Sequence, residues 1–290
     1  MSTPTRSHRL LQSPDEIVKS LTELPSVPAI LPKLLTILND VSASMEDVLS
    51  LIKLEPGIAS RVLQLGNSAY YSQGGRCSSL EEGVNRLGFL KIYEVVANAV
   101  SSEFVLRKLD AYGIEPHELW LRSVGCAIAS AQLAPACDID VDGAYTTGLF
   151  HAVGLVAIDA WLKSNGSSAT LESTGFPHET TEAEKKLVGF TNAAGAAALL
   201  KSWSFKTSIC EAVHWQYSPS AAGAHRRAAS LVQVAKWIQA KARCVPPAKA
   251  PPPPDSAILA EIRLPKGDID RRVEEVAEEL QRASQMLVER

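Results

Sequence analysis

The chain has 290 residues, 46% hydrophobic and 21% charged, with 29 basic against 32 acidic side chains and a net charge of −3. That length suits one large domain or two modest ones, and the composition is ordinary for a globular protein. So even a charge balance gives no chain-wide field to gather nucleic acid or an anionic membrane. The five cysteines, Cys77, Cys126, Cys137, Cys210 and Cys244, are odd in number and lack C-x-x-C spacing. Neither a disulfide framework nor a zinc knuckle is therefore expected, and reduced thiols in a cytoplasmic protein are. The N-terminal MSTPTRSHRL has no long apolar core, so no signal peptide is expected. No window reaches the ~18 uncharged apolar residues of a membrane helix.

Helix signals then follow one another along the chain. Ser13-Pro14-Asp15-Glu16 is a capping box with Pro in the first turn, ahead of Ile17, Leu21 and Leu24 on one face. Pro25 and Pro28 break the chain before a second helix carrying Ile30, Leu34, Leu35 and Leu38. Ser44 to Asp47 is another capping box, opening onto Val48, Leu51 and Ile52. Pro56 starts a helix that stops near Gly66-Asn67-Ser68. Ser79 to Glu82 caps a short helix closed by Gly88, and Phe89 to Leu109 reads as a longer one.

Pro116 to Ala134 is the next helix, and Asp142 to Leu162 reads as a single helix with His151 in its middle. A polar loop, 164–180, precedes helices at Thr181–Val188, Thr191–Trp203, Ser208–Trp215 and Ala222–Ala242. Residues 246–254 are proline-rich, a stiff surface loop or linker. Residues 255–290 read as a C-terminal amphipathic helix. In it Ile269, Val273, Val276, Leu280, Ala283 and Leu287 form a heptad seam that has to be buried, against its own domain, against a second copy or against a partner. No alternating strand pattern is found, so the fold class is all-α.

The pieces Leu24-Pro25-Ser26-Val27-Pro28, Glu55-Pro56-Gly57-Ile58, Leu65-Gly66-Asn67-Ser68-Ala69-Tyr70 and Arg86-Leu87-Gly88 resemble the first half of an HDOD domain. Leu119-Trp120, Ser123, Gly148-Leu149-Phe150-His151, Gly189 to Gly195 with Trp203, and Ala212-Val213 carry the resemblance onward. HDOD is a helical output domain, related to HD-type metal-dependent phosphohydrolases and usual in bacterial signalling proteins. The resemblance implies an HDOD-like body over about 20–245, with an N-terminal helical part (20–115) and a C-terminal HD-like helical part (116–245). Residues 1–19 form an N-terminal extension and the start of the first helix.

The departures from an intact HD site bear most on function. The resemblance implies metal ligands where this chain has Arg122, Ala152, Asn192, Gln216-Tyr217 and Lys236, leaving His151 as the only ligand. Phosphodiester hydrolysis on such a scaffold needs a metal to activate water, and Arg cannot ligate one. No metal, cofactor or catalytic residue is therefore expected. The site residues are His151, Arg122, Lys236, Asn192 and Gln216, a vestigial pocket whose two cations would attract a nucleotide or other phosphorylated small molecule. Two bland readings stand beside this one: His151 is a buried imidazole bonded to a backbone carbonyl, and Arg122 pairs with Glu118 while Lys236 faces water. The function expected is a non-catalytic signalling module that binds partner proteins or a small anion, without a membrane and without nucleic acid, and with a homodimer through the C-terminal helix as one arrangement. The alternatives are a cryptic HD-type phosphodiesterase or nuclease and a nucleic-acid-associated regulator.

Overall fold

The computed structural model describes residues 13–20, 37, 44–53, 56–68, 71, 79–105, 108–176, 178–203, 205–244 and 249–288. The second expected helix, Cys77, His8, Ala69-Tyr70 and Pro246-Pro247 lie outside them. The described residues are helical and contain no strand; an isolated bridge, Leu109 to Ile114, is the one extended pairing among them. No helix among them is long and apolar enough to cross a membrane. Two compact units are present, Pro25–Glu103 and a larger one made of Met1–Leu24 with Phe104–Arg290.

In the smaller unit, α2 (Met45–Ile52) begins at the expected capping box, with Ser44 Oγ accepting from Asp47 N at 3.3 Å and Asp47 Oδ2 accepting from Ser44 N at 2.9 Å. Its buried face is Val48, Leu49 and Ile52. Ser44→Ala is expected to lower stability by about 1 kcal/mol, because the Asp47 backbone N–H loses its acceptor; chemical denaturation beside Ser44→Asp, which keeps an acceptor, checks this. In α3 (Pro56–Gly66) Ile58 and Val62 are buried. Arg86 Nη1 donates to the last carbonyl of α3, Gly66 O, at 3.1 Å. Gly88 bends α4 (Leu80–Val105) with φ 73°, a conformation that costs glycine little. The R-L-G segment thus caps one helix and turns another.

In the larger unit, α5 (Pro116–Leu133) is central. It packs on α6 (Val141–Phe150), α11 (Arg226–Ala242) and α13 (Ile269–Val288). On the other side α7 (Val153–Ser164) packs on α9 (Asn192–Ser202), which leans on α10 (Thr207–His214); α8 (Thr181–Val188) lies between them in the chain. The N-terminal helix, α1 (Pro14–Ser20), packs on α9 and α7 through fully buried Ile17.

The expected dividing line near residue 115 falls earlier, between 103 and 104. The turn at 108–114 is tied to the larger unit: Ala111 N donates to the buried Asp159 carboxylate at 2.9 Å, and Ala111 O accepts from Leu171 N at 2.7 Å. Two helix readings are corrected. Asp142–Leu162 is not one helix, since the chain breaks at His151-Ala152 between α6 and α7. Residues 255–290 are not one helix either. A short α12 (Ser256–Glu261) comes first, capped by Asp255, and Arg263 at φ 54° turns the chain before α13. The apolar seam of α13 packs on its own chain, with Val276 and Leu280 buried against α5 and α11.

Candidate functional site

Two glycines place His151. A Cβ at Gly148 would lie 2.6 Å from Cys126 O and 2.7 Å from Ser130 Oγ, so only glycine lets α6 lie this close to α5. A Cβ at Gly154 would lie 1.8 Å from Asn192 O, so α7 and α9 cross backbone to backbone. Between these contacts the chain breaks at Ala152 and turns the imidazole inward. Its Nδ1 donates to Gly148 O at 2.6 Å, because a carbonyl can only accept, and this leaves Nε2 as the acceptor nitrogen. Burial, reinforced by the Lys236 ammonium, pushes the imidazole pKa down to about 3, so His151 is neutral.

Lys236 does not face water. It lies on the buried face of α11 at 4% exposure, and its Nζ donates to Gln216 Oε1 at 3.1 Å and sits 3.9 Å from the centre of the Tyr217 ring. That ring face offsets part of the cost of desolvating the ammonium, and burial draws the lysine pKa down from its ordinary value. Gln216 Nε2 in turn donates to His151 O at 3.0 Å. One amide therefore links the histidine's backbone to the buried cation.

A second cluster adjoins the first through Asn192. Its Nδ2 donates to both Glu184 oxygens, at 2.9 and 3.0 Å, and lies 3.1 Å from the Tyr217 hydroxyl. Glu184 is fully buried and also accepts from Asn192 N at 2.6 Å, Thr180 Oγ1 at 2.7 Å and Tyr112 Oη at 3.1 Å. A buried carboxylate with this many donors is stabilised by charge-assisted hydrogen bonds. Arg122 stands at the edge, as the bland reading had it. Its Nε donates to Glu118 Oε1 at 2.8 Å, and its Nη1 is 3.7 Å from Glu179 Oε2. Glu118 is shared with Arg243.

Of the five expected site residues, His151, Gln216, Lys236 and Asn192 are joined through Gln216 and Tyr217, and Arg122 is held apart by carboxylates. Glu184 was missed as a member, and Tyr217, named beside Gln216 at an implied ligand position, was not counted among the site residues. A signal for Glu184 existed: Thr181, Glu184 and Val188 share one face of α8 at spacings of three and four, which puts the carboxylate in the core. His214 packs edge-on against Trp215 and is half-buried, and His117 stacks on Trp120.

The donor set does not suit the divalent metal of an HD centre. Ala152 has no ligand atom, Arg122 and Lys236 are cations, Asn192 and Gln216 are neutral amides, and the Glu184 carboxylate is already engaged by its neighbours. Among the described residues no three His, Cys, Asp or Glu side chains form a metal-binding group. Nor does Cys126 offer a nucleophile, since burial pushes its thiol up to about 12.

Comparison with known proteins agrees with this architecture. The profile of the HDOD domain matches residues 24–219. A candidate signal transduction protein from Marinobacter aquaeolei VT8 superposes with TM-score 0.72 at 21% identity, over 96% of this chain and 61% of that one. An HDOD domain protein of unknown function from Geobacter sulfurreducens gives 0.63 at 21% identity, over 95% and 94% of the two chains. A candidate phosphohydrolase from Shewanella amazonensis SB2B gives 0.62 at 24% identity, over 90% and 93%. An uncharacterised protein of Treponema pallidum is 25% identical over 142 residues, which are 48% of this chain and 27% of that protein. The chain thus spans about a quarter of that relative and three-fifths of the Marinobacter chain.

Proposed function

The chain belongs to the HDOD family, and from that premise we propose that it is a non-catalytic regulatory module of bacterial signalling that acts by binding partner proteins. The observation that carries this reading is Lys236, an ammonium buried beside His151, Gln216 and Tyr217. A fixed side-chain cation supplies positive charge to the centre but has no open coordination position with which to activate water. The same geometry argues against an anion in this centre. Arg122 is already faced by Glu118 and Glu179, and Lys236 is shielded by Tyr217.

The runner-up, a cryptic HD-type phosphodiesterase or nuclease, draws on one feature. His151 holds Nδ1–H against a carbonyl and turns Nε2 away, the orientation that metal-bound histidines adopt. Thermal unfolding with manganese or zinc separates the two. The binding-module reading expects the metals to shift the wild type and His151→Ala by the same amount. A stabilisation present in the wild type and lost in His151→Ala, together with hydrolysis of a model phosphodiester, would transfer the assignment to the hydrolase.

A further inference from the structure

The polar loop between α7 and α8 is pinned at both ends and exposed between them. Leu171 is buried and its N donates to Ala111 O at 2.7 Å; Thr180 is buried and its Oγ1 donates to Glu184 Oε1 at 2.7 Å. Residues 172–175 are exposed. The tip then closes on itself. Thr174 N and Oγ1 each donate to Glu179 O at 2.6 Å, and Glu179 N donates to Gly175 O at 2.7 Å. Phe176 and His178, on this tip, border a cleft of about 410 Å³, so the tip has space on that side into which it can move.

Glu179 is the informative residue. Its φ is 39°, in the left-handed region, which a residue with a Cβ occupies only at a cost. Strain of that kind persists where surrounding contacts over-determine it. Here the bonds across the tip hold the backbone and deliver the carboxylate to Arg122, with Oε2 3.7 Å from Nη1. Glu118 holds the same guanidinium more closely, at 2.8 Å. The contact is open to solvent, since Arg122 is 31% exposed and Glu179 24%. The preceding residue, His178, has its ring centre 6.4 Å from that of Tyr217, the ring that covers Lys236. Burial lowers the Lys236 pKa, and of the acids around it Glu179 opposes this most.

Arg122, Arg243 and Lys236 bring three positive charges to this region, and Glu118, Glu179 and Glu184 bring three negative ones. Glu118 is gripped by two arginines, and Glu184 by Thr180, Asn192 and Tyr112. Glu179 is the carboxylate held most loosely. Moving it away leaves one positive charge uncompensated beside a guanidinium, a group that takes two phosphate oxygens along one edge.

We propose that the tip at 174–179 is an autoinhibitory plug: the Glu179 carboxylate stands in for an anion beside Arg122, and a phosphate group binds there by displacing it. Anions are then kept out by a movable group, and the apparent affinity is reduced by the small fraction of molecules in which the plug is open. The proposal rests on the reading of the centre as charge-bearing and non-catalytic. That reading fails on metal-dependent stabilisation with hydrolysis, whereas the plug fails on phosphate binding alone.

Calorimetric titration of the full chain with inorganic phosphate at low ionic strength, wild type beside Glu179→Gln, tests this. The variant keeps the size of the side chain and removes its charge, so it should bind phosphate at least about tenfold more tightly than the wild type. Adding Arg122→Leu should abolish that binding; Glu118 keeps Arg243 as a partner, so the double variant should melt close to the single one. In the wild type, saturating phosphate should speed hydrogen exchange at the Thr174 and Glu179 amides, because Glu179 leaves its left-handed conformation and the bonds across the tip open. Adenosine monophosphate in place of phosphate shows the source of the anion: tighter binding means that the plug answers to a nucleotide, equal binding to the phosphate group itself. No saturable phosphate binding by folded Glu179→Gln, equal affinity in it and the wild type, binding that survives Arg122→Leu, or protection unchanged by saturating phosphate would overturn the proposal.

Discussion

Gly154→Ala is expected to destabilise the larger unit by at least about 3 kcal/mol, beyond the usual ~1–3 kcal/mol of an overpacked core. The added Cβ would fall 1.8 Å from Asn192 O and 2.8 Å from Ala196 N. These are backbone atoms of α9, so no side chain can swing aside; the two helices must separate. Asn192 would move with them, and its backbone and side-chain bonds to Glu184 would break, leaving a buried carboxylate short of donors. Gly267→Ala is the control, because a Cβ there meets nothing within 4 Å. Denaturant unfolding of both variants checks the prediction, and a Gly154→Ala protein as stable as the control would show that α7 and α9 do not cross this closely.

Acid sensitivity is the second large effect. His151 is neutral in the folded chain, with its pKa lowered from the usual 6.5 to about 3 by burial first and by Lys236 second. The unfolded chain takes up this proton near pH 6.5 and the folded chain does not until about pH 3. The unfolded state therefore holds more protons throughout that window. The contribution of His151 is fully present above pH 6.5 and is lost as pH falls toward 3. The slope is about 1.4 kcal/mol per pH unit, and the whole window amounts to something on the order of 5 kcal/mol. His151→Gln cannot take up the proton, and its amide can still donate toward Gly148 O. Its stability should therefore fall less steeply than that of the wild type between pH 6.5 and 4. The acid titration of carboxylates such as Glu118 is common to both proteins and cancels in the difference. Parallel stability curves would mean that the imidazole is accessible to water.

Helix boundaries were legible wherever they rest on short-range chemistry. The Ser44–Asp47 capping box, Pro56 and Pro116 in first turns, Gly66 at a helix end and Gly88 at a bend all act within about one turn of chain, so their signals are written locally. The all-α class followed from the same spacing. The side-chain chemistry of the centre was also readable, since Ala152 has no ligand atom and Arg122 and Lys236 are cations.

What the sequence could not settle was where each polar group went. The break at His151-Ala152 carries no proline; it is imposed by two glycines meeting distant backbones, Gly148 on α5 and Gly154 on α9. Lys236 was given both a pocket and a solvent-facing reading, and Tyr217 and Gln216, 19 and 20 residues away, decide it by covering the ammonium. Arg122 was given both fates, and the choice was made by Glu118 one turn earlier together with Glu179, 57 residues on. The proline-rich run read as a stiff surface loop or a linker, and nothing local shows that Trp237 will bond to Pro251 O and hold it against α11. Capping and turn energies depend on neighbours in sequence, whereas desolvation and ion pairing depend on neighbours in space. The sequence by itself therefore determined the helices and the residue types of the centre, and the tertiary packing alone decided which charges are buried, which are paired, and where a cleft remains.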